Sequence, residues 1–179
     1  METTSRDLLA ALDFAAHKHC GQQRKGRGSP PYVNHLIEVA EILARVGKVS
    51  ERDVLVAAVL HDTLEDTETT RRELVARFGS GVAGLVAEVT DDKSLSKHER
   101  KRLQVEHAPG LSRAAKLIKL GDKICNLREV AESPPLGWPR PRRIDYLRWS
   151  RDVVAGCRGT SPALEREFDR VARRAALLL

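Results

Sequence analysis

The sequence predicts an all-α fold, and three observations carry that prediction. Apolar residues recur at three- and four-residue spacing along nearly the whole chain. No segment alternates apolar and polar residues over the length of a half-buried strand. Gly, Pro and Ser/Thr residues punctuate the periodic stretches where helix ends belong. With 179 residues, 41% of them hydrophobic and 31% charged, the chain suits one compact domain over residues 1–179 with a sizeable core. No internal repeat or low-complexity tract interrupts it.

The first helix carries Leu8, Leu9, Leu12, Ala15, Ala16 and His19 on one face and stops near Gly21. The segment GQQRKGRGSPPY, residues 21–32, is a basic loop rich in Gly and Pro. A second helix runs from Asn34 to Val46 and breaks at Gly47. Ser50 is placed to cap a third, with Asp53 in the box position, and its apolar run Val54 to Leu60 leads into His61. Thr69 or Thr70 opens a helix ending at Gly79, and Val82 to Val89 forms a short one. Residues 90–97 read as a loop, with Ser96 capping a charged helix that stops at Pro109. Ser112 starts a long helix to about Ala131. A second Pro-rich loop, residues 133–141, precedes closing helices at about 142–156 and 163–178.

Composition narrows the function classes. No apolar run approaches the ~20 residues needed to span a bilayer, so no membrane partner is expected. The first helix carries acids and no cleavage-site pattern, so a cytoplasmic location is expected. Cys20, Cys125 and Cys157 are widely spaced and odd in number, which excludes a disulfide framework and a Cys-x-x-Cys metal site. They read as reduced, packed thiols, and any metal must use His and carboxylate ligands. The net charge of +6 and the clusters at Arg71-Arg72, Arg100-Lys101-Arg102, Arg140/Arg142/Arg143 and Arg173-Arg174 favour a polyanionic partner. An aromatic fraction of 4% leaves few stacking platforms for single strands, so a small, highly phosphorylated nucleotide is preferred over nucleic acid.

One stretch, LHDTLED at residues 60–66, sets a histidine and three carboxylates at the end of an apolar helix. A His-Asp dipeptide alone is a weak motif. Its context strengthens it, because ionised groups at a buried helix end must be paired, hydrogen-bonded or metal-bound. If the helix continues, His61 and Glu65, and Asp62 and Asp66, lie four apart on adjoining stripes, so one wall offers both ligands and acid/base groups. His35 sits at the start of the second helix, beside the core positions Leu36, Val39, Ala40 and Leu43. Asp122 edges the buried stripe Leu117, Leu120, Ile124 and Leu127. Two imidazoles and two carboxylates (His35, His61, Asp62, Asp122) suit Mn²⁺, Fe²⁺ or Zn²⁺ with positions left for water.

That order, His35, then His61-Asp62, then Asp122, resembles the H…HD…D signature of the HD-domain metal-dependent phosphohydrolases. Longer segments, among them AAVLHDTLEDTETT, RFGSGVAGLVAEVTDDK and AAKLIKLGDKICNLRE, are similar to the hydrolase domain of the RelA/SpoT stringent-response enzymes. The nearest likeness is to the stand-alone small alarmone hydrolases of the metazoan type, and it covers nearly the whole chain. No synthetase domain follows, so hydrolysis alone is expected. The resemblance implies an HD helical bundle that removes the 3′-pyrophosphate of guanosine 3′,5′-bis(diphosphate), or of its pentaphosphate relative, with Mn²⁺ on those four ligands. It implies that Glu65 and Asp66 orient the attacking water and shuttle protons. It places Arg24 and Lys25 at the nucleotide pocket, Asn126 toward ribose or phosphate, and Lys97, Arg142 and Tyr146 as phosphate and base contacts. Tyr32 either packs beside the base or anchors its loop. Leu36 and Gly121 stand where the family has Pro and Ala, and Gly121 is expected to loosen the long helix at a cost of about 1 kcal/mol.

Three rivals remain at this point. A two-metal cyclic-nucleotide phosphodiesterase would need His98 and His107, but nine residues of helix put them on opposite sides, which favours a single metal. The same pocket could instead take another phosphorylated nucleotide, such as the 2′-phosphate of NADPH. From another class, the chain could be a nucleic-acid-binding module with an idle site, a reading that net charge supports and the intact ligand set opposes. The oligomeric state is left open.

Overall fold

The apolar periodicity resolves into helices α1 (Glu2–Lys18), α2 (Val33–Arg45), α3 (Arg52–Leu60), α4 (Thr63–Asp66) and α5 (Arg71–Phe78). These are followed by α6 (Ser80–Val89), α7 (Lys97–His107), α8 (Arg113–Glu132), α9 (Arg140–Cys157) and α10 (Pro162–Leu178), with a 3-10 turn Ala108–Gly110 behind α7. The structure is a computed structural model describing residues 2–26 and 28–179, with side chains from residue 5 onward; Arg27 of the basic loop lies outside the described residues. Among the described residues there is no strand, only an isolated antiparallel bridge between Gln23 and Pro31.

The all-α expectation therefore holds, and α8 is its axis. Ala115, Leu117, Ile118, Leu120, Ile124, Cys125, Leu127 and Val130 are buried along it, because α2, α3, α6, α9 and α10 all pack around it. Gly121 has a packing reason. A Cβ there would lie 3.1 Å from Leu43 Cδ2 and 3.3 Å from Val39 Cγ1, so glycine lets α8 lie flush on α2. The helix runs unbroken through it from Arg113 to Glu132. Three expected caps form. Thr70 accepts from the Glu73 N–H at 3.2 Å, Ser96 from Glu99 at 3.2 Å and Ser112 from Ala115 at 3.1 Å, each satisfying a helix-end donor for about 1 kcal/mol.

Several expectations are corrected. The N-cap of α3 is Glu51, not Ser50, and no side chain caps it; Asp53, the box residue, is held instead by Arg52 at 2.6 Å. The buried face of α1 is Ala11, Phe14, Ala15 and His19, while Leu9 is 66% exposed and Ala16 is exposed. The reason is Phe14, whose ring meets Phe78 edge-on at 5.4 Å and fixes the rotation of α1. Cys125 and Cys157 are buried thiols, but Cys20, one turn past α1, is exposed. The helix carrying the apolar run stops at Leu60 rather than continuing to Asp66. Thr63 Oγ1 donates to the Leu60 carbonyl at 2.6 Å and a separate turn, α4, begins there.

Candidate active site

Two helices and one helix junction bring the expected ligands together. His35 comes from the first turn of α2, His61 and Asp62 from the α3–α4 junction, and Asp122 from the middle of α8. Ligand atoms of His35, His61 and Asp62 all lie within 4.8 Å of one another. Asp62 Oδ2 is 3.1 Å from His61 Nε2 and 3.9 Å from His35 Nε2. From the α8 side, Asp122 Oδ1 lies 3.3 Å from His35 Nε2 and 3.8 Å from His61 Nε2.

The donor set fits a divalent cation. Both imidazole Nε2 atoms are buried and have no hydrogen-bond partner, although two carboxylates stand beside them. Such atoms converge on a point rather than along bonds. His61 Nδ1 is engaged with the Ala58 carbonyl at 2.8 Å, which assigns the proton to Nδ1 and turns the Nε2 lone pair inward. Burial pushes the His35 imidazole below its usual range, so it stands neutral, as a ligand must. Burial also opposes charge on His61, but Asp62 and Asp122 outweigh it and push that pKa up to about 10, so a bound cation would replace a proton there. Desolvation works against ionised Asp62 and Asp122, yet His61 beside the first and Lys123 beside the second hold both below the usual carboxylate range.

Beside these ligands lies a cavity of about 240 Å³ whose lining includes His61, Asp62, Glu65, Asp66 and Asp122. Lys97, Arg100, Lys101, Lys119 and Lys123 line it too, Arg100 against Glu65 and Lys123 against Asp122. Glu65 is fixed at both oxygens, by the Asp91 N–H at 3.2 Å and by Arg100 at 3.2 Å. Asp66 is paired with Lys93. Burial lowers the Lys97 and Lys101 pKa values, and neighbouring cations, Arg142 for the one and Lys97 and Lys123 for the other, lower them further. That crowding of like charge marks an anion site.

A second cavity, about 490 Å³, adjoins the first and shares Tyr32, Asp66, Asn126, Trp138 and Tyr146 with it. Gln22, Gln23, Arg24, Lys25 and Glu129 line this chamber and not the first. Arg24 donates to Asn126 Oδ1 at 2.7 Å, pairs with Glu129 and lies 5.5 Å from the Tyr32 ring centroid. Of the expected binding residues, Arg24 and Lys25 line the second chamber, Lys97 the first, and Asn126 and Tyr146 the boundary. Arg142 lines neither; it lies 4.3 Å over the Trp138 ring, which Tyr146 also meets, at 5.7 Å.

Sequence reasoning named Arg100 and Lys101 only as part of a basic cluster favouring a polyanion, and it missed Gln104 and the placement of all three in the site. With Lys97 they form an i, i+3, i+4, i+7 stripe on α7, a core-facing pattern written in cations and an amide instead of apolar residues. His98 and His107 are exposed and stand outside the ligand cluster, as their spacing implied.

The HD-domain family profile matches residues 11–145, a span that holds every ligand just described. The chain belongs to the HD-domain family. Curated relatives of this HD protein include the guanosine-3′,5′-bis(diphosphate) 3′-pyrophosphohydrolase MESH1 of Xenopus tropicalis, 48% identical over 94% of both chains. Its Homo sapiens counterpart is 47% identical over 100% of each. Among solved structures, one described as a metazoan ortholog of SpoT that hydrolyzes ppGpp superposes with a TM-score of 0.92 at 46% identity, covering 96% of this HD chain and 97% of its own. A Listeria monocytogenes chain matches with a TM-score of 0.65 at 33% identity, covering 80% of this chain and 97% of its own.

Proposed function

We propose that this chain is a single hydrolase domain that removes the 3′-pyrophosphate of guanosine 3′,5′-bis(diphosphate), or of its pentaphosphate form, giving GDP or GTP and pyrophosphate. The observation that carries the reading is the pair of unbonded, buried imidazole Nε2 atoms, flanked by Asp62 and Asp122, beside a cavity that His61 and both carboxylates share with Lys97, Arg100, Lys101, Lys119 and Lys123. The activity for which the relatives are named and their near-complete overlap with the chain support it. Mn²⁺ is the cation we assign to His35, His61, Asp62 and Asp122, where it would supply Lewis acidity and a more acidic water at neutral pH. The free thiols fit a reducing compartment, and we place the enzyme in the cytosol.

The cations of this cavity, Lys97 and Lys101 foremost, neutralise the substrate's phosphates and direct the 3′ group toward the ligand cluster. Arg24 and Lys25 hold the nucleoside end in the adjoining chamber, with Asn126 and Tyr146 at the junction and Arg142 at the rim. Glu65 and Asp66 orient the water; as its oxygen bonds to phosphorus and the bond from phosphorus to the ribose 3′ oxygen breaks, the carboxylate pair takes the water proton and returns one to the 3′ oxygen.

Chromatographic product analysis with Mn²⁺ tests this, comparing guanosine tetraphosphate with NADPH for the wild type and Asp62→Ala. Release of GDP and pyrophosphate, lost in the variant and with chelator, is expected. Turnover of NADPH alone would refute the substrate while leaving the site intact.

A further inference from the structure

We propose that Tyr32 and Asn126 are a matched pair of positioning residues that aim the two carboxylates of the metal centre. The inference rests on the metal reading above and extends it beyond the four ligands.

The Tyr32 hydroxyl donates to Asp62 Oδ2 at 2.6 Å. That oxygen is the one 3.1 Å from His61 Nε2 and 3.9 Å from His35 Nε2, so the hydroxyl holds the oxygen that faces the imidazoles. Asn126 repeats the arrangement on α8. Its Nδ2 donates to Asp122 Oδ1, the oxygen 3.3 Å and 3.8 Å from the same two nitrogens. A carboxylate oxygen has two lone-pair directions, and one donor leaves the other aimed at the cluster centre.

Both donors are neutral, which matters next to a cation site. An ammonium or guanidinium in their place would repel the metal and draw charge from the ligand oxygen, whereas a hydroxyl or amide fixes direction without adding charge. Lys123, the cation that does contact Asp122, sits on the opposite oxygen, Oδ2, at 3.0 Å.

The pair is also held rigidly. The Tyr32 ring stacks on His19 at 5.0 Å and an interplanar angle of 16°. His19 Nδ1 is bonded to Gln22 Oε1 at 2.8 Å, and Gln22 Nε2 donates to the Asp66 carbonyl at 2.8 Å. Asn126 Oδ1 accepts from Arg24 at 2.7 Å, and the same guanidinium lies 5.5 Å from the Tyr32 ring centroid. Arg24 thus braces both positioning residues from the nucleoside chamber.

Titration of Mn²⁺ followed by the electron paramagnetic resonance of the free ion reads affinity without turnover. Tyr32→Phe keeps the ring and its stack, Asn126→Ala removes the second donor, and circular dichroism establishes that each variant is folded. Each is expected to bind Mn²⁺ about 10–100-fold more weakly than the wild type, and Asp62→Ala not to bind measurably. Wild-type affinity in both variants, with only KM raised, would overturn the proposal and make them substrate contacts. Either variant decides alone should the other fail to fold. Absence of Mn²⁺ binding by the wild type would overturn the metal reading and this pair with it, an outcome distinct from binding that the variants leave unchanged.

Discussion

Glu65 shows how one residue's surroundings set its chemistry. Burial, then the charge of Asp91, raise its pKa above the ordinary 4.5 of a glutamate. The competent form of a base is the ionised one, so kcat/KM falls as pH drops through that raised value, and the acid limb lies above 4.5. Asp91→Asn removes the charge while the backbone N–H that Glu65 accepts stays in place, so the limb is expected at lower pH; kcat/KM profiles of the two enzymes give the comparison. An unmoved limb would assign it to another group. The clustering of His35, His61, Asp62 and Asp122 was legible in sequence because each combined a metal-binding residue type with a buried-edge position. The Tyr32 hydroxyl was not, since its acceptor lies 30 residues away and only the tertiary fold makes them neighbours. Glu129 escaped for the same reason: its partner Arg24 is 105 residues distant.

At the scale of elements, α7 departs most from ordinary helix logic. None of its residues is fully buried, and the stripe it turns inward is Lys97, Arg100, Lys101 and Gln104. The helix and its Ser96 cap are legible in the sequence, as is the basic cluster at Arg100-Lys101, but charge at helical spacing reads as solvated surface until the fold places a cavity beside it. Lys101→Ala removes one charge from that stripe while leaving Glu65 and Asp66 in place. Steady-state kinetics should show KM raised by roughly 10-fold or more, the scale of one charge-assisted hydrogen bond, with a smaller change in kcat. The two Pro-rich loops make a second element-scale device. The Leu136 N–H donates to the Lys25 carbonyl at 3.2 Å, and a Cβ on Gly26 would lie 2.7 Å from the Ser133 carbonyl oxygen. That backbone contact cannot yield cheaply, so Gly26→Ala is expected to part the loops, shift Arg24 and Lys25, and raise KM for the nucleotide several-fold without loss of Mn²⁺ affinity. Weaker Mn²⁺ binding in this variant would show that the loop seam also supports the ligand cluster.

The molecule as a whole encloses a polar, charged cluster within an apolar helical core. Charged and polar ligands from α2, the α3–α4 junction and α8 meet deep in the helical assembly, where ionised groups without partners are costly. Elsewhere α8 is held by its buried apolar stripe, with ion pairs to α10 at Arg128–Glu167 and Glu132–Arg174, and Gly121 brings α2 close enough for His35 and Asp122 to meet. A cation bound there would tie these segments together and stabilise the folded state over the unfolded one, which has no preformed site. At a metal concentration of 100 times Kd the gain is about 2.7 kcal/mol. For a chain of this size that corresponds to roughly 5–10 °C in Tm. Thermal unfolding followed by circular dichroism should therefore show a rise of this order when Mn²⁺ is added to metal-free protein, reversed by chelator. In Asp122→Ala the rise should vanish, because one carboxylate and the α8 side of the site are lost together. Should Mn²⁺ raise Tm equally in that variant, the ion binds elsewhere, and the convergence of the helices on His35, His61 and Asp62 serves the fold alone.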